Sequence, residues 1–411
     1  MNKKKIVITA VICMLAGLGF RSVSVSAANT GSGEAQTGEE NHYEFELDIP
    51  GIRSEYVYLE DLDTGEVLID RRSQEKMYPA SITKMMSVIL ALEYYDNLDK
   101  TIKITEEMLK GLREQNLSQA GFLAGDEPTV RDLLYGAVLP SGSDCVNALA
   151  MDSFGTVEKF VDAMNAKAKK LDMNSTHFVN PTGIDDPDHY STCRDISLLV
   201  KYCRKNDVFN ELVRAETYTS SAVKSHPKGI SMVSKVWKFV TGNGSDYAFA
   251  IPGFNGGKSG FTYDAGYTLA STASYNGMNL LLVNAKSYVE FDYPSHVEDA
   301  SAIYNYAFEN LKKSEIIKAG ECAGTILLPE NGESLELLYP ESLRMTVDRN
   351  QIVKIVITVP SALDKSVKKG DPLGQCAVFL DGREVYKNDL LCSKDVRVSG
   401  GPLSQMFSLF R

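Results

Sequence analysis

Apolar and polar positions along the chain follow two different periods. Residues 56–60 and 66–70 alternate around Asp63-Thr64-Gly65, the pattern of a β-hairpin. Met85, Val88, Ile89 and Leu92 then recur at three- and four-residue spacing, which predicts a helix anchored in a core. Pro79 suits the first turn of that helix, because its φ is already helical and the amide hydrogen it lacks would have had no partner there. From Thr105 to about Leu171 the period stays largely helical. Phe178-Val179-Asn180-Pro181-Thr182-Gly183 breaks it with a turn, and a helix resumes over 195–202. Two strand-like runs, 267–274 and 279–286, are joined by Asn276-Gly277, a strong hairpin signal, and a helical segment over 298–311 closes the unit. Helices between an opening hairpin and closing strands imply an α/β domain, its helices packed on a mainly antiparallel sheet, over 46–313.

Beyond Lys313 the pattern changes to short β-rich runs such as 352–359 and 375–380, the latter followed by the turn Asp381-Gly382. A small β-rich C-terminal domain is expected over 314–397. In the tail, 398–411, Leu403, Met406, Phe407 and Phe410 fall at helical spacing. Such a stripe fits a short amphipathic anchor at a membrane surface. It fits a docked or frayed terminus equally, since the segment is short and only Arg411 is basic.

At the other end, Lys3, Lys4 and Lys5 precede an apolar run from Ile6 to Phe20 and small residues ending Val25-Ser26-Ala27-Ala28. This is the pattern of a cleaved secretory signal peptide over 1–28, and the run is short for a membrane span. Residues 29–45, rich in Gly, Thr, Glu and Asn, read as a flexible acidic lead-in. The mature protein is therefore expected outside the cytoplasm, secreted or at the outer face of the cytoplasmic membrane.

Charge and cysteine usage narrow the chemistry. The net charge of −11 would become −15 once the leader takes away Lys3, Lys4, Lys5 and Arg21, so nucleic acid is excluded as a partner. Cys13 leaves with the leader. Cys145, Cys193, Cys203, Cys322, Cys376 and Cys392 remain; one or more disulfides would fit export, but large domains do not need them, and mostly buried thiols are expected. No Cys-x-x-Cys or His-Glu-x-x-His occurs, so neither a metal site nor a cofactor is expected.

The candidate chemistry sits at the start of the core helix. Ser81 and Lys84, in Tyr78-Pro79-Ala80-Ser81-Ile82-Thr83-Lys84, are one helical turn apart and share a face. A serine hydroxyl becomes a nucleophile when a base takes its proton, and a lysine can be that base if burial or a neighbouring cation keeps it neutral. Ser-x-x-Lys alone is common by chance. Two further elements support it: Pro140-Ser141-Gly142-Ser143-Asp144, a break between helical stretches, and Gly257-Lys258-Ser259-Gly260, leading into the strands. Lys258 supplies the second positive charge. A hydroxyl such as Ser259 can bind a carboxylate, and Gly260 lets a substrate backbone approach the strand edge.

These elements, in this order, resemble the Ser-x-x-Lys, Ser-x-Asn and Lys-Thr-Gly set of penicillin-binding proteins and serine β-lactamases. The segments 79–84, 178–183, His189-Tyr190-Ser191-Thr192, 258–262 with Ala265-Gly266-Tyr267, and Val367-Lys368-Lys369-Gly370-Asp371 extend the resemblance to the serine-type D-alanyl-D-alanine carboxypeptidases among the low-molecular-mass penicillin-binding proteins. The resemblance implies an acyl-enzyme on Ser81 formed from a peptidoglycan stem peptide ending in D-Ala-D-Ala, with Lys84 as base. It also implies an oxyanion hole from the amides of Ser81 and Phe261, and a proton relay through Ser141 and Lys258. Ser143, Ser259, Gly260, Phe261 and Thr262 would bind substrate, and β-lactam antibiotics would acylate Ser81.

The chain departs from the family pattern twice. Ser143 stands where the family has asparagine, leaving the hydrogen bond to the substrate amide to Ser143 through a water or to Asn147 a turn later. Gly242 precedes Asn243-Gly244 where many relatives have arginine. Two rival readings share the serine and lysines: a β-lactamase-like hydrolase, and a penicillin- or peptidoglycan-binding protein whose turnover is impaired by Ser143. No Glu-x-x-Leu-Asn stretch lies between the second and third motifs, as a class A β-lactamase would have, and the extra β domain is unexpected there. Imidazole has no vacant role in the motif set, so His177 and His189 are expected to be structural.

Overall fold

A computed structural model of the chain describes residues 5–13, 24–28, 49–288, 290, 292–328, 333–360, 363 and 365–398, with the backbone alone for the first two stretches. It divides into two compact units, 42–309 and a second made of 1–41 with 310–411. The tail from 399 onward and the whole of the acidic lead-in lie outside the described residues.

The leading segments Lys5–Cys13 (β1) and Ser24–Ala28 (β2) belong to the second unit. In the first unit the expected hairpin forms as β3 (Tyr56–Asp61) and β4 (Val67–Arg71). A single 3₁₀ turn, Ala80–Thr83, follows Pro79 and runs into α1 (Lys84–Tyr94). Next come α2 (Glu106–Leu109), α3 (Val130–Val138), α4 (Ser143–Phe154), α5 (Val157–Lys170), α6 (Cys193–Cys203) and α7 (Asp207–Arg214). A two-stranded ribbon, β5 (Thr217–Thr219) and β6 (Ser231–Val233), leads to α8 (Trp237–Thr241). Strands β7 (Phe254–Thr262), β8 (Gly266–Tyr275) and β9 (Met278–Ser287) precede α9 (Ser295–Asn310).

The sheet runs β4-β3-β9-β8-β7, antiparallel throughout, so β7 is an edge strand. Asn276 and Gly277 carry the positive φ values, 49° and 75°, that let two residues turn β8 into β9. Helix α1 is buried from Lys84 to Ala91 and packs among α3, α4, α5, α6 and α7, the centre of the main core. Helix α6 lies against β3, β8 and β9. The Tyr304 hydroxyl of α9 meets Ser271 Oγ of β8 at 3.1 Å, and Asp299 accepts from Ser54 N–H and from Ser287 Oγ, fixing the closing helix to the sheet.

The stretch expected to be helical from 105 to 171 is interrupted. Residues 110–129 form turns and extended loop, because Gly111, Gly121 and Gly125 take φ values of 77°, 113° and 88° and Pro128 cannot continue a helix. Asp144 organises this loop, accepting from the N–H groups of Ala120, Gly121 and Phe122.

The second unit is β-rich: β10 (Leu311–Ile317), β11 (Cys322–Leu327), β12 (Ser334–Leu338), β13 (Leu343–Asp348), β14 (Ile352–Pro360), β15 (Pro372–Leu380) and β16 (Arg383–Cys392). Strand β10 pairs with β13, which puts the start of this unit at Asn310, a few residues before the change of pattern after Lys313. The other strands form a sheet in the order β11-β12-β16-β15-β14-β1-β2. Alternate burial of Val353, Ile355, Ile357 and Val359 makes β14 its core strand. All six cysteines after the leader are free thiols; five are buried and Cys322 is exposed.

Candidate active site

Ser81 sits in the 3₁₀ turn ahead of α1, and two glycines make that turn fit. The residue before it, Ala80, is held at φ 47°, a left-handed conformation costly for a residue with a Cβ. A Cβ on Gly183 would lie 1.8 Å from the Ala80 carbonyl oxygen, and one on Gly260 would lie 2.6 Å from Ser81 N. The 178–183 turn and the edge strand β7 therefore press directly on the backbone around Ser81.

Lys84, 2% exposed, donates from Nζ to Ser81 Oγ at 2.9 Å and to the Thr182 carbonyl at 2.7 Å. Asn180 places that carbonyl: its Oδ1 accepts from the N–H groups of Thr182 and Gly183, and its Nδ2 donates to Ile184 O. Ser87, one turn along α1, ties down the same segment by donating to Pro181 O at 2.7 Å. Burial, and then the charge of Lys235, bring the Lys84 ammonium down from 10.5 to about 7. The pair thus holds a buried lysine whose neutral form is well populated near neutral pH.

A second lysine and serine stand nearby. Lys258 on β7, also 2% exposed, donates to Ser141 Oγ at 2.9 Å and to the carbonyl of Ser259 at 2.7 Å. Desolvation, and then the charges of Lys84 and Lys235, pull its pKa well below the ordinary value. Ser141 has φ 66°, a second strained residue at the site. Gly142 follows because a Cβ there would meet Asp144 Oδ1 at 2.6 Å and Gly136 O at 2.8 Å.

One groove of about 660 Å³ is lined by Ser81, Lys84, Ser141, Ser143, Ser259, Gly260, Phe261 and Thr262, so the structure brings the three sequence motifs together. Lys258 lies behind the wall and reaches the groove through Ser141. Residues 258–262 pair with 266–270 of β8 along one edge, leaving the other edge of β7 to the groove. The Thr262 hydroxyl is committed to Asp185 at 2.7 Å, and the Phe261 ring packs on Tyr267 at 4.4 Å.

A comparison with protein families decides what this constellation belongs to. Residues 44–287 match the family model described as D-alanyl-D-alanine carboxypeptidase, and residues 311–398 match that of the penicillin-binding protein 5 C-terminal domain. The chain belongs to the D-alanyl-D-alanine carboxypeptidase family. It is similar to the D-alanyl-D-alanine carboxypeptidase DacF of Bacillus subtilis, 26% identical over 82% of this chain and 84% of that one. It is also similar to a D-alanyl-D-alanine carboxypeptidase of Streptomyces sp. strain K15, 31% identical over 63% of this chain and 88% of that one. Among solved structures, the Streptomyces K15 DD-transpeptidase superposes with a TM-score of 0.57 at 28% identity, covering 64% of this chain and 100% of its own. The carboxypeptidase DacD of Francisella tularensis, at 23% identity, shares the fold over 89% of this chain and 98% of its own, with a TM-score of 0.64.

In this serine-type D-Ala-D-Ala carboxypeptidase the second motif differs from its expected substitutes. Ser143 Oγ is fully buried and has no hydrogen-bond partner among the described residues. Asn147, expected as an alternative amide donor, is not on the groove; its Nδ2 donates to Met108 O at 3.2 Å. Gly242 is the left-handed C-cap of α8, with φ 78°, and contributes nothing to the groove wall.

Two groove residues carried no sequence signal. Lys235 and His296 line the groove without belonging to any motif, and only the fold brings them there. The His296 ring stacks on Tyr267 with centroids 4.8 Å apart and planes 2° from parallel. Burial, and then the charge of Lys258, hold its pKa near 3. His189 is structural, as expected: its Nδ1 accepts from Val179 N–H at 3.1 Å and its Nε2 meets Thr83 Oγ1 at 2.9 Å, joining the 178–183 turn to the turn that carries Ser81.

Proposed function

We propose that this carboxypeptidase removes the terminal D-alanine from peptidoglycan stem pentapeptides through an ester on Ser81. The observation that carries the residue assignment is the 2.9 Å contact between Ser81 Oγ and a buried Lys84 whose pKa lies near 7. Neutral Lys84 takes the Ser81 proton as Oγ bonds to the carbonyl carbon of the penultimate D-alanine. The resulting oxyanion is held by the N–H groups of Ser81 and Phe261, a role supported by the close approach of Gly260 to Ser81 N. On collapse the C–N bond breaks, and the departing D-alanine nitrogen receives a proton by way of Ser141 and Lys258. Water then attacks the ester, Lys84 takes one of its protons, and Ser81 recovers its hydrogen as the shortened peptide leaves.

The stem peptide adds as a strand along the outer edge of β7, with its terminal carboxylate at Ser259 and the field of Lys258. β-Lactams, which mimic D-Ala-D-Ala, acylate the same serine. The leader 1–28 directs export, placing the enzyme at the cell wall outside the cytoplasmic membrane, and the tail 398–411 is a candidate surface anchor.

The test incubates the purified protein with a D-Ala-D-Ala pentapeptide and, separately, with a labelled penicillin. D-alanine release and labelling that both vanish in Ser81→Ala are the expected result. Labelling without D-alanine release would instead mark a binding protein, and rapid penicillin turnover a β-lactamase.

A further inference from the structure

Lys235 is a groove cation that the reaction above leaves unused. It stands between β6 and α8, and its backbone N–H donates to Leu139 O at 3.1 Å, just ahead of the Pro140-Ser141 loop. Its Nζ donates to Ser118 Oγ at 2.6 Å, while the Ser118 carbonyl accepts the N–H of Ser143 at 2.8 Å. Lys235 is thus tied to both chain segments that frame Ser143. Among the described residues no carboxylate pairs with it, and its side chain is exposed at the groove.

Chemical need and position coincide here. The Ser143 hydroxyl is short, fully buried and unpartnered among the described residues, and Asn147 is engaged elsewhere. A lysine carries its donors on a four-carbon stem, and one bond to Ser118 leaves donors to spare on an ammonium or an amine. Partial desolvation against the groove wall, and then the charge of Lys238, lower the pKa of Lys235 although its side chain reaches solvent, and either protonation state still donates.

We propose that Lys235 is a substrate-binding residue, giving an oxygen of the bound stem peptide the hydrogen bond that Ser143 is too short to supply. This rests on the carboxypeptidase reading above. A second consequence is that the two positions are coupled. An amide placed at 143 makes the lysine dispensable, and the lysine makes the amide unnecessary.

The experiment is a double-mutant cycle with a conservative control. D-alanine release from the pentapeptide and the second-order rate of penicillin acylation are measured for wild type, Lys235→Met, Lys235→Arg, Ser143→Asn and Lys235→Met/Ser143→Asn. Thermal melts verify that each variant folds. Loss of one substrate hydrogen bond in Lys235→Met lowers kcat/KM about tenfold, while Lys235→Arg stays within about threefold of wild type. Ser143→Asn raises the activity of the Lys235→Met protein at least about fivefold more than it raises that of wild type.

Equal loss in Lys235→Met and Lys235→Arg, or the same effect of Ser143→Asn in both backgrounds, overturns the proposal. If Lys235→Met fails to fold, Lys235→Ala takes its place in the cycle, with the same coupling expected. Ser81→Ala is run in parallel. A wild type that labels with penicillin but releases no D-alanine defeats the carboxypeptidase reading alone, and the acylation rates still decide the role of Lys235.

Discussion

Lys84 Nζ lies 2.9 Å from Ser81 Oγ, and the lysine that makes this contact is almost entirely shut away from water. Ordinary burial of an ammonium is paired with a carboxylate; here the partners are a hydroxyl and the Thr182 carbonyl, both uncharged. Asp144 is close enough to oppose the shift but spends its oxygens on three backbone N–H groups. The core helix therefore carries at its first residue a buried amine whose lowered pKa suits the proposed role of base.

The first prediction is kinetic. Only neutral Lys84 can accept the Ser81 proton, and its pKa is brought down to about 7. Penicillin acylation of Ser81 should fall about tenfold per pH unit on the acid side of that value and level off above it. Lys84→Ala should abolish labelling at every pH while the protein still melts cooperatively. A rate that is flat from pH 5.5 to 7.5, or normal labelling of Lys84→Ala, would remove Lys84 from the role of base.

The same burial has a cost in stability. A basic group whose folded pKa lies below its unfolded value of 10.5 binds fewer protons in the native state between the two values, so stability rises with pH across about 7 to 10.5. The penalty is complete below pH 7. Lys84→Met, which keeps the volume and removes the charge, should therefore be more stable than wild type at pH 7 by on the order of 2–4 kcal/mol, inactive, and closer to wild type at pH 9.5. Urea melts at the two pH values measure the gap. A wild type that is the more stable at pH 7 would mean that the hydrogen bonds to Ser81 and Thr182 outweigh desolvation.

Gly183 offers a test of how the serine is positioned. It has φ 86°, and a Cβ there would fall 1.8 Å from the carbonyl oxygen of Ala80. Gly183→Ala should displace the turn before Ser81 and lower the acylation rate at least about a hundredfold, with a loss of stability on the order of 2–4 kcal/mol. Gly65→Ala, also at positive φ but with nothing within 4 Å, should cost only about 1 kcal/mol and leave acylation unchanged. Similar acylation rates for the two variants would refute the close-contact argument.

The hairpins, the core helix and the three motifs could be read from the sequence because each depends on residues near one another in the chain. Asn276-Gly277 turns β8 into β9 and the 85–92 stripe marks α1, both patterns carried by neighbouring residues. The loop 110–129 was misread because Asp144 binds the amides of 120–122, a long-range interaction that outweighs local helical pattern. Lys235 and His296 were invisible for a related reason. Nothing beside them in sequence distinguishes them, and Lys235 enters the groove only because the β5–β6 ribbon delivers it next to Ser118. Its charge also acts on Lys84 more than any other, a part the sequence had assigned to Lys258.

The last prediction concerns acid. His189 and His296 are buried with pKa values lowered to about 4 and about 3 by desolvation. Each stays neutral in the native state while the unfolded chain takes up a proton near pH 6.5, so each makes stability fall as pH drops from 6.5 toward its folded value. The slope approaches about 1.4 kcal/mol per pH unit for each ring. Asp126 and Asp132, whose pKa values are lowered, contribute mainly below the ordinary aspartate value of 3.8, Glu75 and Glu158 act at the acid end of the window and Lys84 at its upper end, so most of the change from pH 6.5 to 4.5 comes from the histidines. His296→Phe can keep the stack on Tyr267 and leaves no buried hydrogen bond broken at Nδ1, which has no partner. Urea melts at pH 6.5 and 4.5 should show that this variant loses about half as much stability as wild type over the interval. An unchanged loss would mean that His296 is already protonated in the native groove, held there by a counter-charge the geometry does not provide.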